Sequence, residues 1–186
     1  ERHLYRIGFD GSGLERVTKD NGVHKVGFSP DGQYYLDSYS NSSTLPSLTL
    51  HKKDGTNLHV LAKPRPELLQ GLNLQTPELF TIPTSDGFPM PAQILKPKDF
   101  DPDKSYPLIF HIYGGPSAPT VFDQWQGSSL FFDNMLLDRG YLVVKFDHRS
   151  ATAISKDLEN RLIMMMSGPI EIVDILDGIH WLKSQS

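Results

Sequence analysis

The fold of this protein is decided by the stretch Tyr106–Pro116, which reads YPLIFHIYGGP. Residues 106–113 form a near-continuous apolar run, as is typical of strands that are covered on both faces in parallel α/β sheets. Gly114, Gly115 and Pro116 follow at once and indicate a loop. The stretch therefore predicts a buried strand with a glycine-rich loop at its carboxyl end.

Downstream of this stretch, the pattern predicts a helix and then a second buried strand. The helix is expected over Leu130–Arg139, with Gly140 where a left-handed residue commonly ends a helix. Its core-facing side is predicted from four apolar residues at helical spacing, Phe131, Phe132, Met135 and Leu136. The run YLVVKF, residues 141–146, predicts the strand.

A further helix is predicted to begin at Gly168-Pro169. Proline suits the first helical position, and Glu171 places a negative charge near the amino end of the helix. Its predicted apolar stripe consists of Ile172, Leu176, Ile179 and Leu182. This alternation of strands and helices indicates an α/β domain.

Upstream, short strand-like runs are separated by turn signals. Glu78–Ile82 and Pro91–Leu95 flank the turn Ser85-Asp86-Gly87 and predict a hairpin. Four further runs lie in the first sixty residues, at Leu4–Phe9, Lys25–Phe28, Gln33–Tyr39 and Leu48–Lys52. Between these runs and the α/β pattern the chain is proline-spaced, so we predict three parts: a strand-rich domain over 1–66, a linker over 67–76 and the α/β domain over 77–186.

The strand-rich part contains an internal repeat. LYRIGFDGSGLERV from Leu4 and LTLHKKDGTNLHVL from Leu48 align at an offset of 44 residues, with leucines six before and four after an Asp-Gly turn. A period of about 40–45 residues suits one four-stranded propeller blade, whereas the alternative is two unrelated hairpins of similar composition. A propeller has roughly four to eight blades, so this part holds only the terminal blade or blades of one.

Composition excludes several classes of function. The formal net charge is −4 and no basic face is evident, which argues against nucleic-acid binding. No run of about eighteen apolar residues is present, so no membrane span is predicted. Cysteine is absent and the seven histidines lack metal-ligand spacing, so we predict neither a metal site nor a cofactor.

Two serine-containing segments resemble catalytic motifs, and neither is predicted to be one. Around Ser117 the sequence GPSAP departs from G-x-S-x-G, because Pro119 prevents the helix that must follow a nucleophile elbow at once. Asp147-His148-Arg149-Ser150 holds all three residue types of a triad. Adjacent residues on an extended segment point to opposite faces, however, so a polar turn at a strand end is predicted instead.

The candidate for chemistry is the loop that begins at Tyr113. Loops at the carboxyl ends of strands carry the sites of open α/β sheets, and the loop in this position supplies oxyanion-hole groups in α/β-hydrolases. Gly114 and Gly115 permit positive φ and the close approach of a substrate, and the Tyr113 hydroxyl is a hydrogen-bond donor at neutral pH. A plain glycine-rich turn with a surface tyrosine fits the pattern equally well.

Several segments together resemble the prolyl oligopeptidase family of serine peptidases, in its dipeptidyl peptidase IV-like branch. They are FSPDGQYY, YPLIFHIYGGP, RGYLVVKFDHRSATAIS and GPIEIVDILDGIHWL, with Asp123-x-Trp125 and Asp147-x-Arg149 among the most specific features. The resemblance covers nearly the whole chain. It implies the end of a β-propeller followed by a partial α/β-hydrolase domain, namely the amino-terminal half of its sheet.

The resemblance also implies roles for individual residues. Tyr113 corresponds to the tyrosine whose hydroxyl stabilises the oxyanion, and Gly114 and Gly115 support it in the same loop. Asp147 and Arg149 match the family's Asp-x-Arg turn and have a supporting part, although His148 and Ser150 depart from the commoner G-R-G-like form. Glu171 and Asp174 match acidic positions that we interpret as structural.

The catalytic serine, aspartate and histidine of the family match nothing in this sequence, so we expect a fragment that is inactive by itself. The implied activity of the longer protein is release of N-terminal dipeptides from peptide substrates after proline or a small residue. An acylaminoacyl peptidase or esterase, or a non-catalytic binding protein of the same build, remains an alternative. The resemblance further implies a homodimer and, for a bacterial parent, a periplasmic or secreted location.

Overall fold

The structure is a computed structural model that describes residues 1–152, 154–160 and 168–185. The chain divides into two units. Unit 1 comprises Glu1–Asn73 and the separate segment Phe122–Gly127, and unit 2 comprises Leu74–Val121 and Ser128–Ser186. Phe122–Gly127 thus groups with the strand-rich part of the chain, although it lies within the range predicted for the α/β domain.

Unit 1 consists of a short hairpin and a four-stranded antiparallel sheet. The hairpin pairs β1 (Tyr5–Arg6) with β2 (Glu15–Arg16). The sheet contains β3 (Val23–Phe28), β4 (Tyr34–Ser40), β5 (Ser47–Lys52) and β6 (Asn57–Ala62), paired in chain order. A single 3₁₀ turn, Pro66–Leu69, follows β6. Four strands in a meander are the arrangement that the 44-residue period predicts for one blade.

The internal repeat is visible in the strand register. Tyr5 pairs with Arg16 in the first hairpin, and Thr49 pairs with Val60 in the second, 44 residues later at both positions. The next pair repeats in the same way, since Arg6 pairs with Glu15 and Leu50 pairs with His59. The two segments therefore form the same hairpin with the same register, which identifies the repeat as structural.

Unit 2 is built around a mixed four-stranded sheet in the order β7-β8-β10-β9. Its strands are β7 (Glu78–Pro83), β8 (Pro89–Leu95), β9 (Leu108–His111) and β10 (Leu142–Phe146). β10 runs antiparallel to β8 and parallel to β9. The helices are α1 (Ser128–Leu137), α2 (Lys156–Asn160) and α3 (Pro169–Lys183), so both predicted helices and the predicted hairpin are present. Within the described residues, no helix has the length and apolar character needed to cross a bilayer.

The strand predicted over 106–113 is shorter and less buried than its sequence indicates. β9 spans only Leu108–His111, and Leu108 is 40% exposed. Among the described strands it pairs with β10 alone and forms an edge of the sheet. Coverage on both faces was therefore a wrong prediction for β9, whereas it holds for β10, of which residues 143–146 are buried.

The two helices bury faces other than the predicted apolar ones. In α1 the buried residues are Leu130, Asp133, Asn134 and Leu137, while Phe131, Phe132 and Met135 are exposed. Polar residues occupy this buried face because they have partners there. Asp133 lies 3.0 Å from the Lys145 ammonium group, and the Asn134 amide bonds to the backbone of Gln75.

α3 shows the same inversion. Its buried residues are Glu171, Asp174 and Gly178, and Ile172 and Leu176 of the predicted stripe are exposed. Gly178 allows a close approach to the sheet, since a Cβ there would lie 2.5 Å from the Phe146 ring. The core cluster is formed by Ile82, Met90, Ala92, Val144 and Phe146, against which Leu182 packs as predicted, together with Ile175 and Trp181.

The helix ends follow the sequence signals. Gly140 has φ +81°, its N–H bonds to the Leu137 carbonyl, and the Tyr141 N–H bonds to the Leu136 carbonyl. These two bonds form a Schellman motif, as the glycine predicted. At the start of α3, the Glu171 carboxylate accepts a hydrogen bond from the Gly168 N–H, which satisfies a donor at the helix amino end.

Candidate functional site

Two irregular segments of unit 2 lie at the carboxyl ends of neighbouring parallel strands. The Tyr113 loop, defined here as residues 113–121, follows β9, and the Asp147 turn, residues 147–150, follows β10. Because β9 and β10 are parallel with Lys145 opposite His111, the two segments emerge side by side. This is the position at which open α/β sheets carry their sites.

The Asp147 turn holds the Tyr113 loop at three points. The Asp147 carboxylate accepts hydrogen bonds from the Thr120 N–H and hydroxyl at 2.7 and 2.8 Å, and from the Val121 N–H at 2.9 Å. His148 Nε2 lies 3.0 Å from the Tyr113 carbonyl oxygen. The Ser150 carbonyl accepts a bond from the Ser117 N–H at 2.9 Å. The shape of the loop therefore depends on the turn.

Arg149 points away from the loop and joins two other elements to the turn. Its guanidinium bonds to the Asp174 carboxylate of α3 at 2.7–3.1 Å and to the Asp86 carboxylate of the β7–β8 turn at 2.7 and 2.9 Å. The Asp174 carboxylate also accepts the Arg149 N–H. The Phe88 ring lies against the same guanidinium, 5.3 Å from ring centroid to Cζ.

The electrostatics of this cluster follow from the hydrogen bonds. Hydrogen bonding to Asp174, and then to Asp86, raises the pKa of Arg149 above its already high ordinary value. Hydrogen bonding to Arg149, and then to Thr84, holds the pKa of Asp86 well below its usual range. Asp174 is fully buried, so its charge depends on this compensation.

Tyr113 itself is 50% exposed and lies two residues beyond the last registered pair of β9. Its ring packs over Gly115, where an added Cβ would meet ring atoms at 2.7–3.2 Å. Neither Gly114 nor Gly115 has positive φ, so the positive φ that the two glycines permit is not adopted here. Gly115 is required here because the tyrosine ring occupies the space that a side chain would need.

Ser117 is the one non-glycine residue with positive φ, +53°, among the described residues. It lies six residues after the end of β9, and the next helix, α1, begins only at Ser128. The segment is therefore not the strand–turn–helix of a nucleophile elbow. In the Asp147 turn, Asp147 and His148 bond to different parts of the Tyr113 loop rather than to each other's reacting atoms.

The segment Asp123-x-Trp125 contacts the blade within unit 1. The Asp123 carboxylate accepts a hydrogen bond from the Ser42 N–H at 2.9 Å, and the Trp125 N–H donates to the Ser40 hydroxyl at 3.3 Å. The contacts fall at the last residue of β4 and at the start of the β4–β5 connection. They account for the grouping of residues 122–127 with unit 1.

Sequence reasoning missed three residues that shape the site. Asp86 was interpreted only as part of a hairpin turn, Thr120 was not singled out, and His148 was treated only as a false triad member. For Asp86 the sequence showed only the Asp-Gly turn, since its second partner, Arg149, lies 63 residues away. For Thr120 and His148 no local signal exists, since their partners lie 27 and 35 residues away.

Comparison with known proteins shows that the chain is similar to dipeptidyl peptidases. The family model of the dipeptidyl peptidase IV N-terminal region matches residues 1–46. Dipeptidyl peptidase 8 of Homo sapiens is 28% identical over the whole chain, and a probable dipeptidyl-aminopeptidase B of Ajellomyces dermatitidis is 30% identical over 84% of it. The chain spans 21% and 17%, respectively, of the length of these relatives.

Solved structures agree in fold. The crystal structure of Porphyromonas gingivalis dipeptidyl peptidase 4 matches 88% of the chain with a TM-score of 0.79 and 25% identity, and the chain covers 23% of it. A putative dipeptidyl aminopeptidase IV from Bacteroides ovatus matches 92% with the same TM-score and 26% identity, and the chain covers 25% of it. In sequence and fold the chain is therefore similar to the dipeptidyl peptidase IV-like branch of the prolyl oligopeptidase family. It spans about a fifth of the length of the curated relatives it matches.

Proposed function

We propose that this chain is part of a serine-type dipeptidyl peptidase that releases N-terminal dipeptides after proline or a small residue. The observation that carries the proposal is the placement of Tyr113. Its phenol is half exposed at the carboxyl end of β9, while its carbonyl and the loop behind it are held by a buried turn. The names of the relatives, which are dipeptidyl peptidases and dipeptidyl-aminopeptidases, support the class of activity.

In the proposed reaction, a histidine takes the proton of a serine hydroxyl while the serine oxygen attacks the carbonyl carbon of the scissile peptide bond, the carbonyl oxygen becomes an oxyanion, and the histidine later gives the proton to the leaving amine. The Tyr113 hydroxyl donates a hydrogen bond to that oxyanion and keeps its own proton. Collapse of the tetrahedral intermediate expels the amine and leaves an acyl-enzyme, which water then hydrolyses. We assign the serine, its histidine and its aspartate to parts of the full-length protein outside this sequence, which contains no G-x-S-x-G.

At the level of the fold, we propose that unit 2 is the amino-terminal half of an α/β-hydrolase sheet and that unit 1 contains the terminal blade of a β-propeller. The division into 1–66, 67–76 and 77–186 remains a proposal. The supporting roles follow from the contacts. Asp147 fixes the far end of the Tyr113 loop, Arg149 fixes the Asp147 turn, Gly115 makes room for the tyrosine ring, and Gly114 is its neighbour in the loop.

The direct test is Tyr113→Phe in the full-length protein. Removal of one oxyanion donor typically lowers kcat by about 10²–10³-fold, so we expect that loss with little change in KM. Tyr5→Phe is the matched control, because Tyr5 is an exposed tyrosine of the unit 1 hairpin. Steady-state kinetics on a peptide substrate with a free amino terminus and proline as its second residue measure both variants. Wild-type kcat in Tyr113→Phe would remove Tyr113 from the mechanism.

Substrate class separates this proposal from an acylaminoacyl peptidase or esterase on the same scaffold. A dipeptidyl peptidase requires a free amino terminus, so N-acetylation of the peptide should abolish turnover. Faster turnover of the acetylated peptide or of an ester, still dependent on Tyr113, would retain the oxyanion role and replace the specificity. Absence of turnover on all three would favour a binding protein. The homodimer of the full-length protein likewise remains a proposal.

A further inference from the structure

The Asp147 turn contains a buried histidine that has a single polar partner among the described residues. His148 is 1% exposed, and its Nε2 lies 3.0 Å from the Tyr113 carbonyl oxygen. Within the described residues its Nδ1 is buried without a hydrogen-bond partner. The ring therefore directs its one hydrogen bond to the residue that carries the candidate hydroxyl.

The chemistry of that contact fixes the direction of the bond. A carbonyl oxygen only accepts, so Nε2 must carry the proton and donate it. The neutral ring then has its lone pair on Nδ1, which is consistent with an Nδ1 that contacts no acceptor. Loss of such a bond would leave a buried donor and a buried acceptor unsatisfied, which costs free energy. The contact is therefore a specific hydrogen bond and not an incidental approach of two atoms.

Tyr113 depends on such a contact because the sheet does not hold it. The last registered pair of β9 is His111 with Lys145, two residues before the tyrosine. The ring is half exposed and is restrained on one side by the backbone of Gly115. The other anchors of the loop lie at Ser117, Thr120 and Val121, four or more residues further on.

We propose that His148 is the positioning residue for Tyr113: its Nε2–H holds the Tyr113 carbonyl and so sets where the hydroxyl is presented. This role rests on the proposed function for its catalytic consequence, but the contact itself is testable without activity. It goes beyond the supporting roles of Asp147 and Arg149, since His148 alone in the turn binds the tyrosine residue directly.

The first measurement uses the wild-type 186-residue chain. A long-range ¹H–¹⁵N spectrum of the imidazole nitrogens reports which nitrogen of His148 is protonated. Protonated Nε2 is expected. An unprotonated Nε2 would direct its lone pair at a lone pair of the Tyr113 carbonyl oxygen. That result would overturn the proposal.

The second measurement follows Tyr113 directly. The chain carries seven tyrosines, and ¹⁹F spectra of the 3-fluorotyrosine-labelled protein resolve them, with Tyr113 assigned from Tyr113→Phe. His148→Leu should shift or broaden the Tyr113 resonance alone, and His148→Gln, whose amide also donates, should restore it. Gly115→Ala is the positive control, and His180→Leu on an exposed position of α3 is the negative one.

Two results would overturn the proposal. The first is a Tyr113 resonance that stays at its wild-type position in folded His148→Leu. The second is a Tyr113 resonance that is displaced in folded His148→Gln. If all seven resonances move in His148→Leu, that variant has unfolded, and the nitrogen spectrum of the wild type decides alone.

The catalytic consequence is measured in the full-length protein. His148→Leu should lower kcat by about 10- to 100-fold with KM little changed, since a misplacement of about 1 Å can cost about 10²-fold. A residue that acts through Tyr113 adds nothing once the hydroxyl is gone, so the double variant with Tyr113→Phe should be no slower than Tyr113→Phe. Additive losses would overturn the proposal. An unaltered kcat in Tyr113→Phe would instead refute the oxyanion role, while the two spectra still decide the His148–Tyr113 contact.

Discussion

The turns Asp54-Gly55 in unit 1 and Asp86-Gly87 in unit 2 have the same local structure and different long-range contacts. Both glycines have positive φ, +92° and +86°, and both aspartates accept a bond from the N–H two residues on. Asp54 accepts its hydrogen bond from Thr56 in the same hairpin, and hydrogen bonding to Thr56 lowers its pKa. The Asp86 carboxylate also binds the Arg149 guanidinium, 63 residues away.

The difference shows that the same Asp-Gly turn sequence has two structural roles in this protein. In unit 1 the aspartate closes a hairpin, and the contacts that determine the sheet lie between strands that are adjacent in the chain. In unit 2 the same residue type belongs to a cluster that joins a hairpin turn, the end of β10 and α3 through one guanidinium. Loss of a long-range contact should therefore cost more in unit 2 than the equivalent local loss in unit 1.

Arg149→Leu should have the largest effect on stability. It leaves the carboxylate of Asp174 buried and uncompensated, a change that costs about 3–5 kcal/mol. Urea unfolding followed by Trp181, which stacks on Phe80 within unit 2, measures the loss in a Trp125→Phe background. Arg6→Leu removes the exposed Arg6–Glu15 pair of unit 1 and serves as the control, with an expected loss of about 0–1 kcal/mol that is read from far-UV circular dichroism, because Trp181 reports on unit 2. Equal losses in the two variants would refute the comparison.

Gly178→Ala should have the next largest effect. Its Cβ would lie 2.5 Å from the Phe146 ring and 3.0 Å from the Met90 methyl group, so α3 must shift away from the sheet. Overpacking of this kind costs about 1–3 kcal/mol, against which the better helix propensity of alanine returns about 1 kcal/mol. The control is Gly27→Ala in β3, where nothing lies within 4 Å of the added Cβ. A more stable Gly178→Ala protein in the same urea assay would show that the helix is not seated as described.

Asp86→Asn should have the smallest effect, and the size of that effect depends on pH. Hydrogen bonding to Arg149 lowers the pKa of Asp86 in the folded state, so its contribution is present above about pH 4 and is lost as the pH falls. Its side chain is 55% exposed, so solvent screening limits the loss in Asp86→Asn to about 1 kcal/mol at neutral pH.

The variant should therefore differ from the wild type at pH 7 and converge with it in acid, as read by Trp181 fluorescence across a pH series. Asp54→Asn, in which the altered turn lies in unit 1, should leave the Trp181 transition of unit 2 where it is. A gap between wild type and Asp86→Asn that widens towards acid would contradict the assigned direction of the pKa change.

The parts of the fold that could be predicted from the sequence are those set by neighbours in the chain. The hairpin around Asp86-Gly87, the strand at 141–146, the helix end at Gly140 and the helix start at Gly168-Pro169 all appear where the pattern put them. The 44-residue sequence repeat also corresponds to a structural repeat, with Tyr5 opposite Arg16 and Thr49 opposite Val60. Turn-forming residues and the spacing of apolar residues act over a few positions, so they can be recognised in the sequence.

The buried faces of the helices could not be predicted in this way. An apolar stripe is expected to face the core, yet Phe131 and Ile172 are exposed while Asp133 and Asp174 are buried. Burial of a carboxylate is decided by whether a cation reaches it, and those cations, Lys145 and Arg149, come from the β10 strand and turn. Periodicity alone carries no information about a partner so distant in the chain.

For the candidate site, the sequence by itself determined where the loop lies and which tyrosine it carries, because an apolar strand followed by Gly-Gly-Pro marks a strand end. Only the tertiary structure decided what holds that tyrosine. The His148 bond to the Tyr113 carbonyl and the Asp147 bonds to Thr120 and Val121 join segments 26–35 residues apart. They arise because β9 and β10 pair in parallel, which brings together two strand ends that the chain itself keeps far apart.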